Sequence, residues 1–372
     1  MGFGLTDEQH ALVEEARRVA LQALVPLADR GEPHRVNRPL VRALGEEGLL
    51  GHIFPASGEV SAMTLCLLRE ALARERVEAE TALALQGLGG YPILQSGSPD
   101  LVERYVRPVA AGRAVAAFAL TESEHGSDAA HLELRADRDG DGFTLSGEKA
   151  YISNAPEADV YTVFARTTPE AGAKGVTAFV VDRAFPGLSG EPIQLMADHA
   201  VGRLRFEDVP VPATHVLGEV DGGFRVAMRT LDLFRPSVGG FAVGMAWAAL
   251  DAATSHAAGR AAFGRPIREF QAVSHPLAEM ATRTEAARLM VYAAAAAYDR
   301  GAPDVTRRSA MAKLFATETA QWVVDAAVQI HGARALQRGH LLEKLYREVR
   351  APRIYEGTTE IQREVIARDL FR

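Results

Sequence analysis

The segment RIYEGTTEIQR, residues 353–363, places an acidic side chain between an aromatic residue and a glycine. Gly357 permits a sharp turn at positive φ, and Thr359 with Gln362 has the spacing of a capping box, so we expect a helix to begin there. Glu356 would then be held on a tight turn, where a carboxylate can act as a general base. Acidic residues are also common near helix N-termini for electrostatic reasons alone, so this segment by itself favours the electrostatic interpretation over the catalytic one.

Several familiar catalytic and binding motifs are missing from the sequence. It contains no GxGxxG after a strand, no P-loop, no HExxH, no GxSxG and no paired CxxC. The single cysteine, Cys66, lies in MTLCLLREAL, whose apolar spacing predicts the buried face of a helix. The closest histidine pair, His125 and His131, lies in a polar loop, and we expect no metal site. An enzymatic activity would therefore depend on other side chains and on a cofactor held without the usual dinucleotide motif.

The composition indicates a globular protein. The chain has 372 residues, of which 48% are hydrophobic, enough for two or three packed domains. A formal net charge of −7 and a pI near 5.9 argue against a general affinity for nucleic acid or anionic membranes, which requires basic patches. The N-terminal segment MGFGLTDEQHALVEEARR carries charges where a signal peptide needs an apolar stretch, so we expect a cytoplasmic protein. The apolar stretches VGGFAVGMAWAAL and LMVYAAAAAY are short and predict buried core helices.

The periodicity of apolar residues divides the chain into three regions. Thr6 and Gln9 form a predicted capping box, and further amphipathic helical segments follow at about 38–49, 61–76 and 99–111. The pattern then becomes short and alternating, as in ADVYTVFAR, GVTAFVVD and GRLRFEDV, with DGDG as a hairpin signal. Long helical segments return near 222–258, 270–300 and 304–331, followed by two shorter ones, and helices close in sequence commonly form an antiparallel bundle.

These patterns predict a mainly α member of the α+β class. We expect an N-terminal all-α domain over residues 1–113 and a middle domain with a β-sheet or barrel over 114–217. A C-terminal four-helix bundle is expected over 218–372.

Five segments resemble, in the same order, those of acyl-CoA dehydrogenases: FALTESEHGSD (118–128), GEKAYISNAPEAD (147–159), GRAAFGRPIREFQ (259–271), QIHGA (329–333) and IYEGTTEIQR (354–363). The resemblance covers nearly the whole chain, because YPILQSGSPDLVERYVRPVAAG and LRFEDVPVPATHVLG also resemble the connecting segments of that family. It implies FAD-dependent oxidation of an acyl-CoA thioester to a trans-2-enoyl-CoA, in fatty acid or branched-chain acyl-CoA metabolism. Electrons would pass to an electron-transferring flavoprotein. An acyl-CoA oxidase using oxygen and a non-catalytic or DNA-associated member of the superfamily are the alternatives.

The resemblance also implies roles for individual residues. Glu356 matches the base of the family, and the position that carries the acid in other branches corresponds to Phe234. The matching cofactor residues are Leu120, Thr121, Gly126, Ser127, Tyr151, Ser153, Arg260, Phe263, Gln329, Ile330, Gly332, Thr358 and Glu360. The matching substrate residues are Ser127, Asp232, Arg235, Tyr355 and Gly357. Asp232 and Arg235, three residues apart, could equally form a simple ion pair on one helix face.

Some positions depart from the pattern of the family. Tyr151 replaces a tryptophan at the edge of the flavin, Ser153 replaces a threonine, and Ala333 replaces a glycine. The stretch FPASGEVSAMT is shortened relative to the family, so the length and branching of the acyl chain stay open. Arg260, Phe263 and Gln329 match residues that act across a subunit boundary, which implies a homotetramer built as a dimer of dimers.

Overall fold

The computed structural model describes residues 4–371, and the chain forms two compact units. The first unit comprises Met1–Leu21, Ser61–Glu80 and Asp232–Arg372, and the second comprises Gln22–Val60 and Thr81–Leu231. The mainly α class with a central sheet is confirmed, since helices precede and follow the strands. The two boundaries between the three domains expected from the sequence stay a prediction.

The helices, in chain order, are α1 (Asp7–Val19), α2 (Val25–Ala28), α3 (Arg38–Glu46), α4 (Ala62–Glu75), α5 (Val77–Ser96), α6 (Pro99–Leu101), α7 (Arg107–Ala110), α8 (Gly223–Gly259), α9 (Gln271–Asp299), α10 (Val305–His331), α11 (Leu341–Glu348) and α12 (Thr359–Leu370). The three long helices predicted in the C-terminal part of the chain are thereby confirmed. The strands are β1 (Ala116–Ala119), β2 (Arg135–Asp139), β3 (Gly142–Ser153), β4 (Val160–Arg166), β5 (Val176–Asp182), β6 (Leu188–Pro192), β7 (Val201–Pro212), β8 (Val216–Leu217), β9 (Ala261–Ala262) and β10 (Arg265–Pro266).

Polar side chains fix where helices begin. The predicted capping box at α1 is confirmed: the Gln9 amide donates to the Thr6 hydroxyl at 3.3 Å, and the Thr6 amide donates to the Gln9 side chain at 3.0 Å. Asn37 caps α3 by accepting from the amide of Leu40. These bonds satisfy amide groups that have no partner inside the helix, and such caps typically stabilise a helix by about 1 kcal/mol.

The second unit contains the eight-stranded sheet, in the order β6-β7-β3-β2-β4-β5-β8, with β1 pairing parallel to β4. The predicted DGDG hairpin is confirmed, because β2 and β3 pair antiparallel up to Asp139 opposite Gly142. Alternate residues such as Phe143 and Leu145 enter the core of the sheet. The pairing of β3 with β7 shifts register between Lys149 and Ile152, which creates a bulge at that point.

One described helix, Gly223–Gly259, is long and apolar enough to cross a membrane, but 94% of its most apolar 18-residue window is buried inside the protein. The burial confirms the prediction that VGGFAVGMAWAAL forms a core helix. Cys66 is also buried, as predicted.

Two glycines allow α8 to approach α4 closely in the first unit. A Cβ atom added at Gly240 would lie 2.7 Å from the carbonyl oxygen of Cys66, and one added at Gly244 would lie 2.4 Å from that of Glu70. Gly244→Ala should therefore lower the free energy of unfolding by about 1–3 kcal/mol, because the backbones must separate to admit the methyl group. Thermal unfolding measures this change. Gly259→Ala is the control, since a Cβ there meets nothing within 4 Å, and equal unfolding of the two variants would contradict the close approach.

Candidate active site

Glu356 lies on a tight turn between two helical segments. Its backbone adopts the left-handed region with φ 52°, and Gly357 follows with φ 91°. A side-chain-bearing residue adopts this conformation at an energetic cost, so the surroundings must hold it there. Gln362 does so in part: its Nε2 donates to the carbonyl oxygens of Glu356 at 3.2 Å and Gly357 at 2.9 Å. The prediction that this acid is held on a turn is confirmed.

The capping box predicted at Thr359 and Gln362 is wrong by one residue. The cap is Thr358, whose hydroxyl accepts from the amide of Ile361 at 3.2 Å, and α12 then begins at Thr359. Gln362 is fully buried and is committed to the carbonyl groups of the turn. The hydroxyl of Thr359 instead donates to Glu318 at 2.8 Å. Because the Gln362 side chain is buried, it cannot also hydrogen-bond to the backbone amide at the start of the helix. This is the physical reason why the cap lies one residue earlier than predicted.

The carboxylate of Glu356 is poised to accept a proton. The residue is half-buried, and its Oε2 atom is buried with no hydrogen-bond partner among residues 4–371. Burial raises the pKa of Glu356, while the positive charges of Arg69, Lys313 and Arg235 act in the opposite direction. A carboxylate oxygen with no partner in the protein can accept a hydrogen bond or a proton from a bound molecule. Glu356 thus has the features of a general base.

The backbone at Glu356 offers a second functional group. Its amide N–H makes no hydrogen bond with any group in the described range 4–371. An unpaired amide beside a carboxylate can stabilise negative charge that develops on a neighbouring oxygen. The carboxylate and the amide therefore present a proton acceptor and a hydrogen-bond donor from the same residue.

A buried ion pair in the first unit lies among the groups that influence Glu356. The guanidinium of Arg69 donates through Nε to Glu80 and through Nη1 to the hydroxyl of Ser237 at 2.8 Å. The side chains of Arg69 and Glu80 are only 4% and 1% exposed. The sequence reasoning missed both residues. No local signal marks them, because Arg69 is followed directly by another charged residue, Glu70, and Glu80 lies in a different helix.

Asp232 and Arg235 form an ion pair on α8, with 3.1 Å between Oδ1 and Nη1. Burial raises the pKa of Asp232, and Arg235 opposes that shift. Arg235 is 9% exposed, and its Nε is buried with no partner within residues 4–371. Its burial distinguishes Arg235 from an ordinary surface arginine. Phe234, the position of the acid in other branches of the resembling family, is fully buried.

A second group of predicted residues lies near the C-terminal ends of α8 and α10. These ends are adjacent, because the rings of His256 and His331 stack with centroids 4.2 Å apart. Phe263, on the turn between β9 and β10, is 96% exposed and has φ 51°. The remaining members of the group are Arg260 and Gln329, which are exposed, Ile330, which is half-buried, and Gly332, which is exposed with φ 64°. An exposed aromatic ring beside an arginine fits an aromatic, phosphate-bearing cofactor.

The second unit carries a third group, on the segments 118–128 and 147–153. Leu120 and Thr121 are held against β3, since Lys149 Nζ donates to the Leu120 carbonyl at 2.9 Å and the Ala150 amide donates to the Thr121 carbonyl at 3.0 Å. Tyr151 lies on the bulge with φ 58° and is 56% exposed. The other members are Gly126 and Ser127, which are exposed, and Ser153, which is half-buried and pairs with Val201.

A buried lysine–carboxylate pair joins these two segments. Lys149 Nζ lies 2.8 Å from Glu122 Oε1, and Glu122 also accepts from the amides of Glu133 at 2.6 Å and Leu134 at 2.9 Å. Burial lowers the pKa of Lys149 to about 8, whereas Lys149 lowers the pKa of Glu122 against the effect of burial. The pair fixes the backbone that presents Thr121 and Tyr151. Exposed hydroxyl and aromatic groups on such a fixed edge fit the hydrogen-bonding and stacking surfaces of a flavin ring.

Comparisons with known proteins agree with this arrangement. Three family models, described as the N-terminal, middle and C-terminal domains of acyl-CoA dehydrogenase, match residues 6–113, 117–209 and 221–371. Probable acyl-CoA dehydrogenase fadE25 of Mycobacterium bovis is 37% identical, covering 100% of this chain and 97% of that protein.

Two solved structures are similar over the full chain. Butyryl-CoA dehydrogenase from Megasphaera elsdenii has a TM-score of 0.94 at 33% identity and covers 100% of both chains. The FAD complex of PigA has a TM-score of 0.93 at 29% identity and covers 100% of this chain and 99% of that one. The chain therefore belongs to the acyl-CoA dehydrogenase family.

Proposed function

We propose that this protein catalyses the FAD-dependent α,β-dehydrogenation of an acyl-CoA thioester to a trans-2-enoyl-CoA, with Glu356 as the base. The observation that carries the proposal is the carboxylate oxygen of Glu356, buried and unpartnered within residues 4–371, on a turn with φ 52°. Membership of the family supports the overall reaction. The role of Glu356 rests on the geometry of its turn and on its match to the position of the family base.

The reaction requires a base, a hydrogen-bond donor to the thioester oxygen and an acceptor for the hydride, and the chain supplies the first two. FAD, when bound, supplies the acceptor for the hydride that leaves Cβ of the acyl chain. Glu356 removes the proton from Cα, and its raised pKa makes it a stronger base than a carboxylate in water. Its amide N–H donates to the thioester oxygen, where negative charge develops as the proton leaves. The cations Arg69, Lys313 and Arg235 oppose this rise in pKa and so favour the ionised form, which can accept a proton.

Different predicted site residues would bind different parts of the cofactor and of the substrate. Thr121, Tyr151 and Ser153 would contact the flavin ring, and Leu120, Gly126 and Ser127 would shape the loop beside it. Arg260, Phe263, Gln329, Ile330 and Gly332 would hold the diphosphate and adenine side, with Thr358 and Glu360 towards the ribityl and phosphate end. Asp232, Arg235, Tyr355 and Gly357 would contact the acyl-CoA, together with Ser127 at its pantetheine arm.

The proposal extends to partners and location. Electrons would pass to an electron-transferring flavoprotein, as the resemblance implies. A homotetramer is part of the proposal because the resemblance implies it, and the ring of Phe263, 96% exposed, is free to contact a second chain. A cytoplasmic location completes the proposal. The alternatives, an oxidase and a non-catalytic relative, are separated from it by the following experiment.

The test is an anaerobic titration of the purified protein with straight, branched and aromatic acyl-CoAs, followed by flavin absorbance. We expect the oxidised flavin band to bleach with at least one member of the panel and the enoyl-CoA to appear in equal amount. No bleaching with any acyl-CoA by a protein that retains FAD would favour the non-catalytic alternative. A parallel assay under air without an added acceptor addresses the oxidase, since rapid peroxide formation would contradict the dehydrogenase.

A further inference from the structure

Helix α10 packs against the turn that carries Glu356, and a buried lysine makes the contact. Lys313 is fully buried, and its Nζ donates to the carbonyl oxygen of Gly357 at 2.7 Å. Gly357 is the residue immediately after Glu356, so this bond acts on the peptide group that follows the proposed base. A hydrogen bond from an ionised donor is shorter and stronger than a neutral one, and burial strengthens it further.

The same helix holds the segment on both sides of the turn. Five residues beyond Lys313, Glu318 accepts from Arg353 Nε at 2.9 Å and from the hydroxyl of Thr359 at 2.8 Å. Arg353 precedes the turn and Thr359 follows it. Lys313 therefore contacts the centre of a segment whose two ends are already anchored to α10, and it shares the Gly357 carbonyl with Gln362, whose Nε2 donates to it at 2.9 Å.

Lys313 also faces the charged groups of the site. Glu356, Glu318 and Glu360 stabilise its ammonium form and Arg235 opposes it, while burial, the largest effect, lowers its pKa to about 8. Lys313 in turn lowers the pKa of Glu356. One side chain thus combines a bond to the backbone of the turn with a positive charge opposite the carboxylate.

We propose that Lys313 is a positioning residue for catalysis, whose ammonium group holds the left-handed turn of Glu356 through its hydrogen bond to the Gly357 carbonyl. The inference rests on the proposed role of Glu356 as the base. An uncharged side chain of similar length would fill the space but would neither donate to the carbonyl nor face the carboxylate with a charge. The turn would then sample other conformations, and the carboxylate would leave the geometry needed for proton removal.

The experiment compares Lys313→Met, Lys313→Gln and the wild type, with Ser309→Ala as the matched control. Ser309 is fully buried one turn earlier on α10, and its hydroxyl has no partner among residues 4–371. FAD content and thermal unfolding are measured first, and then the rate of flavin bleaching against pH at saturating acyl-CoA. For Lys313→Met we expect a loss in rate on the order of 100-fold with little change in KM, because misplacement of a base by about 1 Å has such an effect. Ser309→Ala should match the wild type.

The pH profile tests the charge itself. The wild-type rate should fall as pH rises through about 8, because Lys313 then loses its proton and its bond to Gly357 weakens. Lys313→Gln keeps a donor without a titrating group, so it should retain more activity than Lys313→Met and show no falling limb at that pH. A wild-type profile without this limb would overturn the inference even if neither variant folds, and so would a Lys313→Met variant with wild-type rates.

The outcomes also separate this inference from the proposed function. If Glu356→Gln bleaches normally, the proposed base is wrong and the role of Lys313 falls with it. If Glu356→Gln is inactive while the Lys313 variants match the wild type in rate and pH profile, only the positioning role is wrong.

Discussion

Glu356→Gln should leave a folded, yellow, FAD-bound protein whose flavin absorbance does not fall when acyl-CoA is added. The glutamine amide has the size of the glutamate carboxylate and can occupy the same position, but it cannot accept the α-proton. General bases typically contribute about 10²- to 10⁴-fold, so the bleaching rate should fall by at least this factor. Stopped-flow absorbance under anaerobic conditions measures the loss.

Stability and pH give independent readouts of the same substitution. Burial raises the pKa of Glu356 in the folded state above its value in the unfolded chain. The free energy of unfolding therefore falls as pH rises from the unfolded-state pKa through the folded-state pKa. Glu356→Gln removes that contribution, so the variant should be at least as stable as the wild type near neutral pH. The wild-type rate should rise with pH through the raised pKa of Glu356. Glu364→Gln, an exposed acid on α12, is the control and should bleach normally, whereas bleaching by Glu356→Gln would assign the base elsewhere.

Glu80→Leu should be among the most destabilising single substitutions in the first unit. It leaves the guanidinium of Arg69 buried without its carboxylate, and breaking a buried pair in this way typically costs about 3–5 kcal/mol. The double variant Arg69→Met with Glu80→Leu should recover most of this loss, because the two apolar side chains remove both charges. Equilibrium denaturation by urea of the wild type, Glu80→Leu, Arg69→Met and the double variant gives four free energies of unfolding, and the non-additivity of the losses is the coupling between the residues.

An exposed ion pair provides the comparison. Glu279 and Arg283 pair on α9 with side chains 49% and 46% exposed, so Glu279→Leu should change the free energy of unfolding by less than about 1 kcal/mol. If Glu80→Leu and Glu279→Leu lowered the free energy of unfolding equally, the buried pair would contribute no more to stability than the exposed pair. Among the cations that lower the pKa of Glu356, Arg69 also has the largest effect. The folded double variant therefore tests whether the rising limb of the pH profile depends on the charges of this pair.

The long helices and the central sheet could be predicted because their signals are local. The long C-terminal helices α8, α9 and α10 repeat apolar residues at the helical period over many turns. β4 and β5 are short segments rich in valine and aromatic residues, although the structure buries them on both faces rather than alternately. Glu356 could be singled out for a similar reason, since the glycine and threonines around it indicate a turn and a helix start. The exact cap was missed by one residue because the burial of Gln362, a tertiary effect, decided it.

The groups that support Glu356 could not be found in this way. Arg69 and Lys313 act on it from 287 and 43 residues away in the sequence, and Glu80, which pairs with Arg69, lies 276 residues away. No local pattern relates such positions. Within their own helices they are charged residues of ordinary type. Only the packing of α4, α5 and α10 in the first unit gives them a role. The bulge at Tyr151 was hidden for a related reason, because it depends on the pairing of β3 with β7 rather than on β3 alone.

The first unit is built from three separate stretches of the chain, and this affects how the newly synthesised chain folds. Translation produces α1 and α4 early, yet Asp299, which binds the Ser61 hydroxyl at 2.8 Å and the Ala62 amide at 2.7 Å, emerges far later. Until then the apolar faces of those early helices have no completed core to enter, and exposed apolar surface on a nascent polypeptide favours aggregation or capture by chaperones. The segment bearing Glu356 follows these helices in the chain, so it is synthesised after them.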